Sequence, residues 1–183
     1  MNKNIINRSG GVNYDKGLYE IKNLDKYIGN PLECRYLSSW ERKFNTYLDH
    51  KDVVKKWGSE LESYAIPYKD MNGKWHKYYP DYYIEFLNPQ NPLEPLRIIA
   101  EIKPYNEIFP KFIKIDKKTG NEEIDRNYIK KLKTHSQNKS FEYQLETYKK
   151  NRMKWEYARK YCKERYMEFW LIHEKWLKSK KIL

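Results

Sequence analysis

Leu96-Arg97-Ile98-Ile99-Ala100-Glu101-Ile102-Lys103 is the stretch on which the reading of this chain turns. Its apolar residues do not alternate with polar ones between Ile98 and Ala100, which is the pattern of a strand covered on both faces near the middle of a sheet. It then ends on Glu-x-Lys. Side chains alternate between the two faces of a strand, so Glu101 and Lys103 project from one face, while Ile102 points into the opposite layer and offers its carbonyl edge. Either charge alone reads as half of an exposed ion pair at a strand end. Two of them closing so apolar a run are less ordinary.

Upstream, Asp81 follows Pro80 and opens Asp81-Tyr82-Tyr83-Ile84-Glu85-Phe86, a second run of strand composition. A loop carrying Pro89, Pro92 and Pro95 joins the two. Alone, Pro80-Asp81 is a common turn dipeptide. If the two strands are neighbours, however, Asp81 meets Glu101 and Lys103. The Asp81 and Glu101 carboxylates, the Ile102 carbonyl and waters then form the hard oxygen set that Mg2+ or Mn2+ prefers. A cation there polarises a phosphate and activates water, and a neighbouring ammonium such as Lys103 orients the nucleophile or neutralises charge developing on phosphorus. That is the apparatus of phosphodiester hydrolysis.

A fourth acid comes from earlier in the chain. Ser38-Ser39-Trp40-Glu41 has the form of a capping box, and Trp40, Phe44, Tyr47 and Leu48 follow at helical spacing, predicting a helix over 39–49. Glu41 is therefore either the acid of that cap or a further member of the metal shell, and the local pattern leaves both open. His76 and His173 read as surface or core histidines and stay outside the site.

Around these residues the chain reads as an α/β fold with a small mixed β-sheet flanked by helices. Ser63–Tyr68 and Lys74–Tyr79 flank Asn72-Gly73 and predict a hairpin, its second arm extended by Asp81–Phe86. Residues 105–138 are lysine-rich and weakly periodic, as in a basic insertion or mobile loop. Phe141, Leu145 and Tyr148, then Trp155, Ala158 and Cys162, mark helical faces, with Asn151 a break or N-cap between two segments. Met167–Ile172 closes with a strand, and a lysine-rich tail comes after it. Residues 1–34, which include Gly10-Gly11, show no sustained period and read as an N-terminal arm, leaving 35–183 as one domain.

The 183 residues carry 37 Lys and Arg against 25 Asp and Glu, a formal net charge of +12. That excess favours a polyanionic partner, although ribosomal, membrane-surface and capsid proteins share it. Lys111, Lys114, Lys117, Lys118, Lys130, Lys131 and Lys133 are the expected phosphate contacts, which predicts binding that weakens steeply with salt and shows little base preference. No apolar run reaches membrane-spanning length and no signal peptide opens the sequence, so no membrane partner and a cytoplasmic site of synthesis are expected. Cys34 and Cys162 are too far apart for a zinc pattern and are expected as buried thiols.

Pro80-Asp81, Glu101-Ile102-Lys103 and Glu41 together resemble the PD-(D/E)xK nuclease superfamily. Tyr36–Glu41, Ser59-Glu60, Ile66-Pro67-Tyr68, Tyr79-Pro80-Asp81, Glu101–Pro104, Asn151 with Lys154-Trp155 and Ala158, and Phe169 with Glu174 look like the head-completion nucleases of T4-like tailed phages. The resemblance spans about residues 35–175. It implies a restriction-endonuclease-like core, Glu41, Asp81, Glu101 and Lys103 as catalytic residues, and Asp81, Glu101, Ile102 and Glu41 around Mg2+ or Mn2+. It implies endonuclease activity, with exonuclease activity left open, on double-stranded packaged DNA so that head and tail can join. The partners it implies are phage head, portal or neck proteins in the host cytoplasm, with retention in the virion left open. Two alternatives stand beside it: a neck protein that binds DNA or portal without cutting, and a transposition or restriction nuclease subunit that needs a partner.

Overall fold

A computed structural model describes residues 15–183, and within it residues 96–102 form an inner strand of the largest sheet. The chain opens with β1 (Gly17–Leu18), β2 (Arg35–Tyr36), α1 (Ser39–His50) and β3 (Val54–Ser59). A hairpin of β4 (Ile66–Lys69) and β5 (Trp75–Tyr78) leads into β6 (Tyr82–Phe86) and β7 (Leu96–Ile102). Next come α2 (Tyr105–Ile108), β8 (Ile113–Ile115), β9 (Glu122–Ile124), α3 (Arg126–Lys130), α4 (His135–Lys163), β10 (Glu168–Ile172) and α5 (Glu174–Ser179).

The main sheet has the order β10-β7-β6-β3. β6 runs antiparallel to β7 with Tyr82 opposite Ala100, and β10 runs parallel to β7 with Phe169 opposite Ile99. Parallel neighbours need a long crossover, and residues 103–167, with α4 as their main element, supply it. The result is the expected mixed sheet flanked by helices, an α/β fold.

Each face of β7 is covered by a different layer. Ile98, Ala100 and Ile102 join Tyr82 and Ile84 beneath Phe44 and Leu48 of α1 and Leu177 of α5. Ile99 and Tyr83 face the other way, toward Ile66, Tyr68 and Tyr78 of the hairpin and Ala158 and Cys162 of α4. Burial on both sides explains why the strand lacks alternation. α1 starts where the sequence indicates: the Ser38 hydroxyl accepts the Glu41 N–H at 3.2 Å, and Phe44 and Leu48 share the buried stripe.

Three expectations change. Asp81–Phe86 does not extend the hairpin: β4 and β5 form their own two-stranded sheet, while β6 lies in the main one. The chain turns between them at Tyr79-Pro80, where proline has no N–H to continue a ladder. Asn151 is neither break nor cap, since α4 runs unbroken from His135 to Lys163 with Asn151 buried inside it. Its start is a capping box in which Thr134 accepts the Gln137 N–H and the Gln137 side chain accepts the Thr134 N–H, and the helix contains no glycine or proline to interrupt it.

Residues 105–138, expected to be irregular, carry α2, the β8–β9 hairpin, α3 and the first turn of α4. Phe112, 2% exposed, anchors them, with Tyr128, Phe141 and Tyr148 packed edge-on against it. From residue 15 to 34 the N-terminal segment packs onto the domain. Asp49, fully buried in α1, accepts the N–H groups of Lys22 and Asn23 at 2.8 and 3.0 Å and the Tyr19 hydroxyl at 3.2 Å. Ile21 and Cys34 enter the α1-side core. Gly10-Gly11 lies outside the described residues. Cys34 and Cys162 are free and buried, and among the described residues no helix is long and apolar enough to cross a membrane.

Candidate active site

The β6–β7 register, continued one residue past the Tyr82–Ala100 pair, sets Asp81 opposite Glu101. Asp81 and Tyr83 then share a face with Glu101 and Lys103, as the period of a strand requires. The polar contacts close the cluster. Asp81 Oδ2 accepts the Ile102 N–H at 2.7 Å, and Lys103 Nζ lies 3.0 Å from Glu101 Oε1. The other Glu101 oxygen, Oε2, accepts the Tyr78 hydroxyl at 2.6 Å, and Glu101 itself is only 5% exposed. Tyr78 thus reaches from the hairpin to orient the acid, a residue the linear sequence did not single out.

These groups are electrostatically uneasy. Burial, and then the negative charge of Glu101, push the Asp81 carboxyl well above the usual range, against the opposing pull of Lys103 and the Ile102 N–H. Burial alone would lower the Lys103 ammonium, but Glu101 and Asp81 outweigh it and hold Lys103 charged, with its pKa raised. Desolvation and the adjoining Glu101 keep Tyr78 a neutral hydroxyl donor.

Glu41 lies across the sheet end, and its position serves both readings. Its two oxygens accept the Ser38 hydroxyl and the Leu37 N–H, each at 2.8 Å, which makes it the acid of the cap. It also lines, with Asp81, Ile102, Lys103, Pro104 and Glu107, a cleft of about 540 Å3. Glu60 is a further acid beside the cluster. It takes a left-handed backbone (φ +47°) just past β3, and its N–H donates to the Asp81 carbonyl at 3.0 Å. Burial and the charge of Glu41 raise its carboxyl, with Arg35 opposing. Periodicity offers no signal for it, since the backbone turn that places it is not written in a hydrophobic pattern. His76 instead pairs with Asp70 at 2.8 Å, and His173 caps α5.

Among the described residues no group of three or more His, Cys, Asp or Glu is poised around one point to hold a metal. The donor set is narrower: the Asp81 and Glu101 carboxylates, with the Ile102 carbonyl beside them. Asp81, whose pKa is raised by burial and then by the Glu101 charge beside it, forms with Glu101 a pair that fits a hard divalent cation, because the cation offsets the cost of that charge. Magnesium keeps several waters and needs only one or two protein carboxylates, so this sparse set suffices.

Residues 51–174 match the TnsA-like endonuclease N-terminal family, and they contain every strand of the main sheet together with Asp81, Glu101 and Lys103. The chain belongs to that family. As a TnsA-like protein it is a nuclease by family, and its mixed sheet flanked by helices is a restriction-endonuclease-like core. It is also 27% identical over 164 residues to the head completion nuclease of Enterobacteria phage T4, a match covering 89% of this chain and 93% of that protein. That span extends beyond the TnsA-like match. No solved structure matches the chain.

Proposed function

We propose that this chain is a magnesium- or manganese-dependent DNA nuclease that acts on packaged phage DNA during head completion, before head and tail join. The observation that carries the reading is the convergence of Asp81, Glu101 and Lys103 on one face at the sheet end. The similarity to the T4 head completion nuclease along nearly the full length of both chains supports the biological role.

In this reading Asp81 and Glu101, with the Ile102 carbonyl, would hold the metal, and Glu41 would be a further acid for it once its cap contacts loosen. The metal supplies Lewis acidity toward the scissile phosphate and lowers the pKa of water bound to it. Glu101 keeps Lys103 within 3.0 Å, where the ammonium orients the attacking water or meets charge developing on the phosphate. Tyr78 fixes the second oxygen of Glu101, so the acid presents one geometry. The exposed Lys111, Lys117, Lys118, Lys130, Lys131 and Lys133 on the β8–β9 and α3 region hold the duplex through its phosphates, while Lys114 pairs with Glu123 at 3.2 Å.

DNA-filled phage heads that lack this protein provide the test. Wild-type protein with magnesium should restore their joining to tails, and Asp81→Ala should not. Restoration by Asp81→Ala would instead assign a non-catalytic neck role. The TnsA-like match favours a second reading, a transposition-type subunit dependent on a partner. Cutting by the isolated chain argues against that.

A further inference from the structure

Three features of α4 bear on the site from the side opposite α1. Lys154 is half-buried, and among the described residues no carboxylate lies within ion-pair distance of its ammonium. It rests instead over two phenol rings, 5.2 Å from the centroid of Tyr78 and 5.9 Å from that of Tyr68. Tyr78 is the residue whose hydroxyl holds Glu101, so one ring separates this ammonium from the catalytic cluster. One turn earlier Asn151 is 8% exposed, and its carboxamide has no hydrogen-bond partner among the described residues. Immediately after Lys154, the Trp155 indole N–H is enclosed and equally without an acceptor.

A buried polar group normally has a partner, and the enclosed Trp155 N–H, with the Asn151 carboxamide and the Lys154 ammonium beside it on the helix, marks a place short of acceptors. The same face continues at helical spacing to Thr147 and Gln144. These line a cavity of about 220 Å3 whose opposite wall includes Glu107, the residue that also lines the active-site cleft. The stripe therefore leads from that cavity to Lys154, beside the Tyr78 ring.

We propose that Lys154 and Asn151 form a phosphate-binding site on α4 that grips the backbone of the strand being cut, next to the scissile phosphate. Phosphate oxygens are acceptors only and carry charge, which is the complement of an ammonium and a carboxamide N–H lacking acceptors. The electrostatic setting agrees. Burial, with Lys150 and Lys103 nearby, lowers the Lys154 pKa, while Glu101 and Asp81 only partly offset them, and an anion on this side would relieve that strain. The ammonium already sits over two tyrosine rings, so less side-chain freedom remains to be lost on binding.

The inference rests on the nuclease reading, and one experiment separates the two. Binding of a short DNA duplex is titrated against salt in chelator, and cutting is followed with magnesium, for wild type, Lys154→Met, Lys154→Arg, Asn151→Ala and Asp81→Ala. Methionine keeps an unbranched side chain of similar length beside Tyr68 and Tyr78 and removes the charge. Lys154→Met should bind about tenfold more weakly and flatten the log-affinity against log-salt slope by about 0.9. Lys154→Arg should restore that slope, which a merely structural lysine would not do, and Asn151→Ala should weaken binding with the slope unchanged. Wild-type affinity and slope in Lys154→Met, with melting also unchanged, would overturn the site. So would equal losses in Lys154→Met and Lys154→Arg. If wild type never cuts, or Asp81→Ala cuts equally well, the nuclease reading itself fails.

Discussion

Replacing Tyr78 with phenylalanine removes a single oxygen and leaves the ring in place, so it isolates one bond. That bond is 2.6 Å long, from the phenol to Glu101 Oε2, and Tyr78 and Glu101 are only 3% and 5% exposed. A hydrogen bond to a charged group contributes about 1.5–3 kcal/mol, and here no bulk water can take its place when it is lost. For a domain of this size each kcal/mol moves the melting temperature by about 2–4 °C, so a loss near 2 kcal/mol predicts a fall of about 4–8 °C. Tyr83→Phe is the matched control. Its hydroxyl donates to Glu85 at 2.7 Å, but Glu85 is half-exposed and water can replace the donor, so a fall of less than about 3 °C is expected. Thermal unfolding of both variants in chelator, monitored by circular dichroism, gives the comparison. Equal shifts, or none for Tyr78→Phe, would refute the view that Glu101 is a buried, donor-dependent carboxylate.

Other perturbations probe different parts of the molecule. Asp81→Asn should abolish cutting yet stabilise the metal-free protein. The folded pKa of Asp81 is raised, so its proton stabilises the fold below the ordinary value of 3.8, and that contribution is lost as pH climbs through the folded pKa. Wild-type and Asp81→Asn denaturation curves in chelator should therefore diverge above pH ~4, and parallel curves would contradict the assignment. Asp49→Ala removes the acceptor of two backbone amides and the Tyr19 hydroxyl, which should cost about 3 kcal/mol or more. Limited proteolysis should then cut first between residues 16 and 34. Glu41→Gln retains a cap acceptor and should melt within about 1 kcal/mol of wild type, whereas Glu41→Ala should lose more. If Glu41→Gln cuts DNA at the wild-type rate, Glu41 is a cap alone.

The strands and the motif were legible because their signals are local. Leu96–Ile102 announces a strand buried on both faces, the alternation places Glu101 and Lys103 together, and Ser38 with Glu41 marks the start of α1. Partner choice is not local. Nothing in Tyr82–Phe86 says whether it continues the hairpin or joins another sheet, and the proline that separates them acts through a missing hydrogen bond. Asn151 misled because asparagine is common at helix caps, while its burial within α4 is decided by tertiary packing. The order within 105–138 depends on Phe112, whose aromatic partners lie up to 36 residues away in sequence. Tyr78, Glu60 and Lys154 come to the site through a hairpin, a left-handed turn and a helix crossover, none of which a one-dimensional period encodes.

Cleavage of supercoiled plasmid DNA by the purified chain measures the nuclease activity directly, with magnesium or chelator present and with Asp81→Ala and Lys103→Ala run in parallel. Wild type should give nicked and linear products with magnesium, while plasmid should stay intact in chelator and with either variant. Intact plasmid with wild type in both magnesium and manganese, or equal cutting by Asp81→Ala, would contradict a metal-dependent nuclease built on Asp81, Glu101 and Lys103.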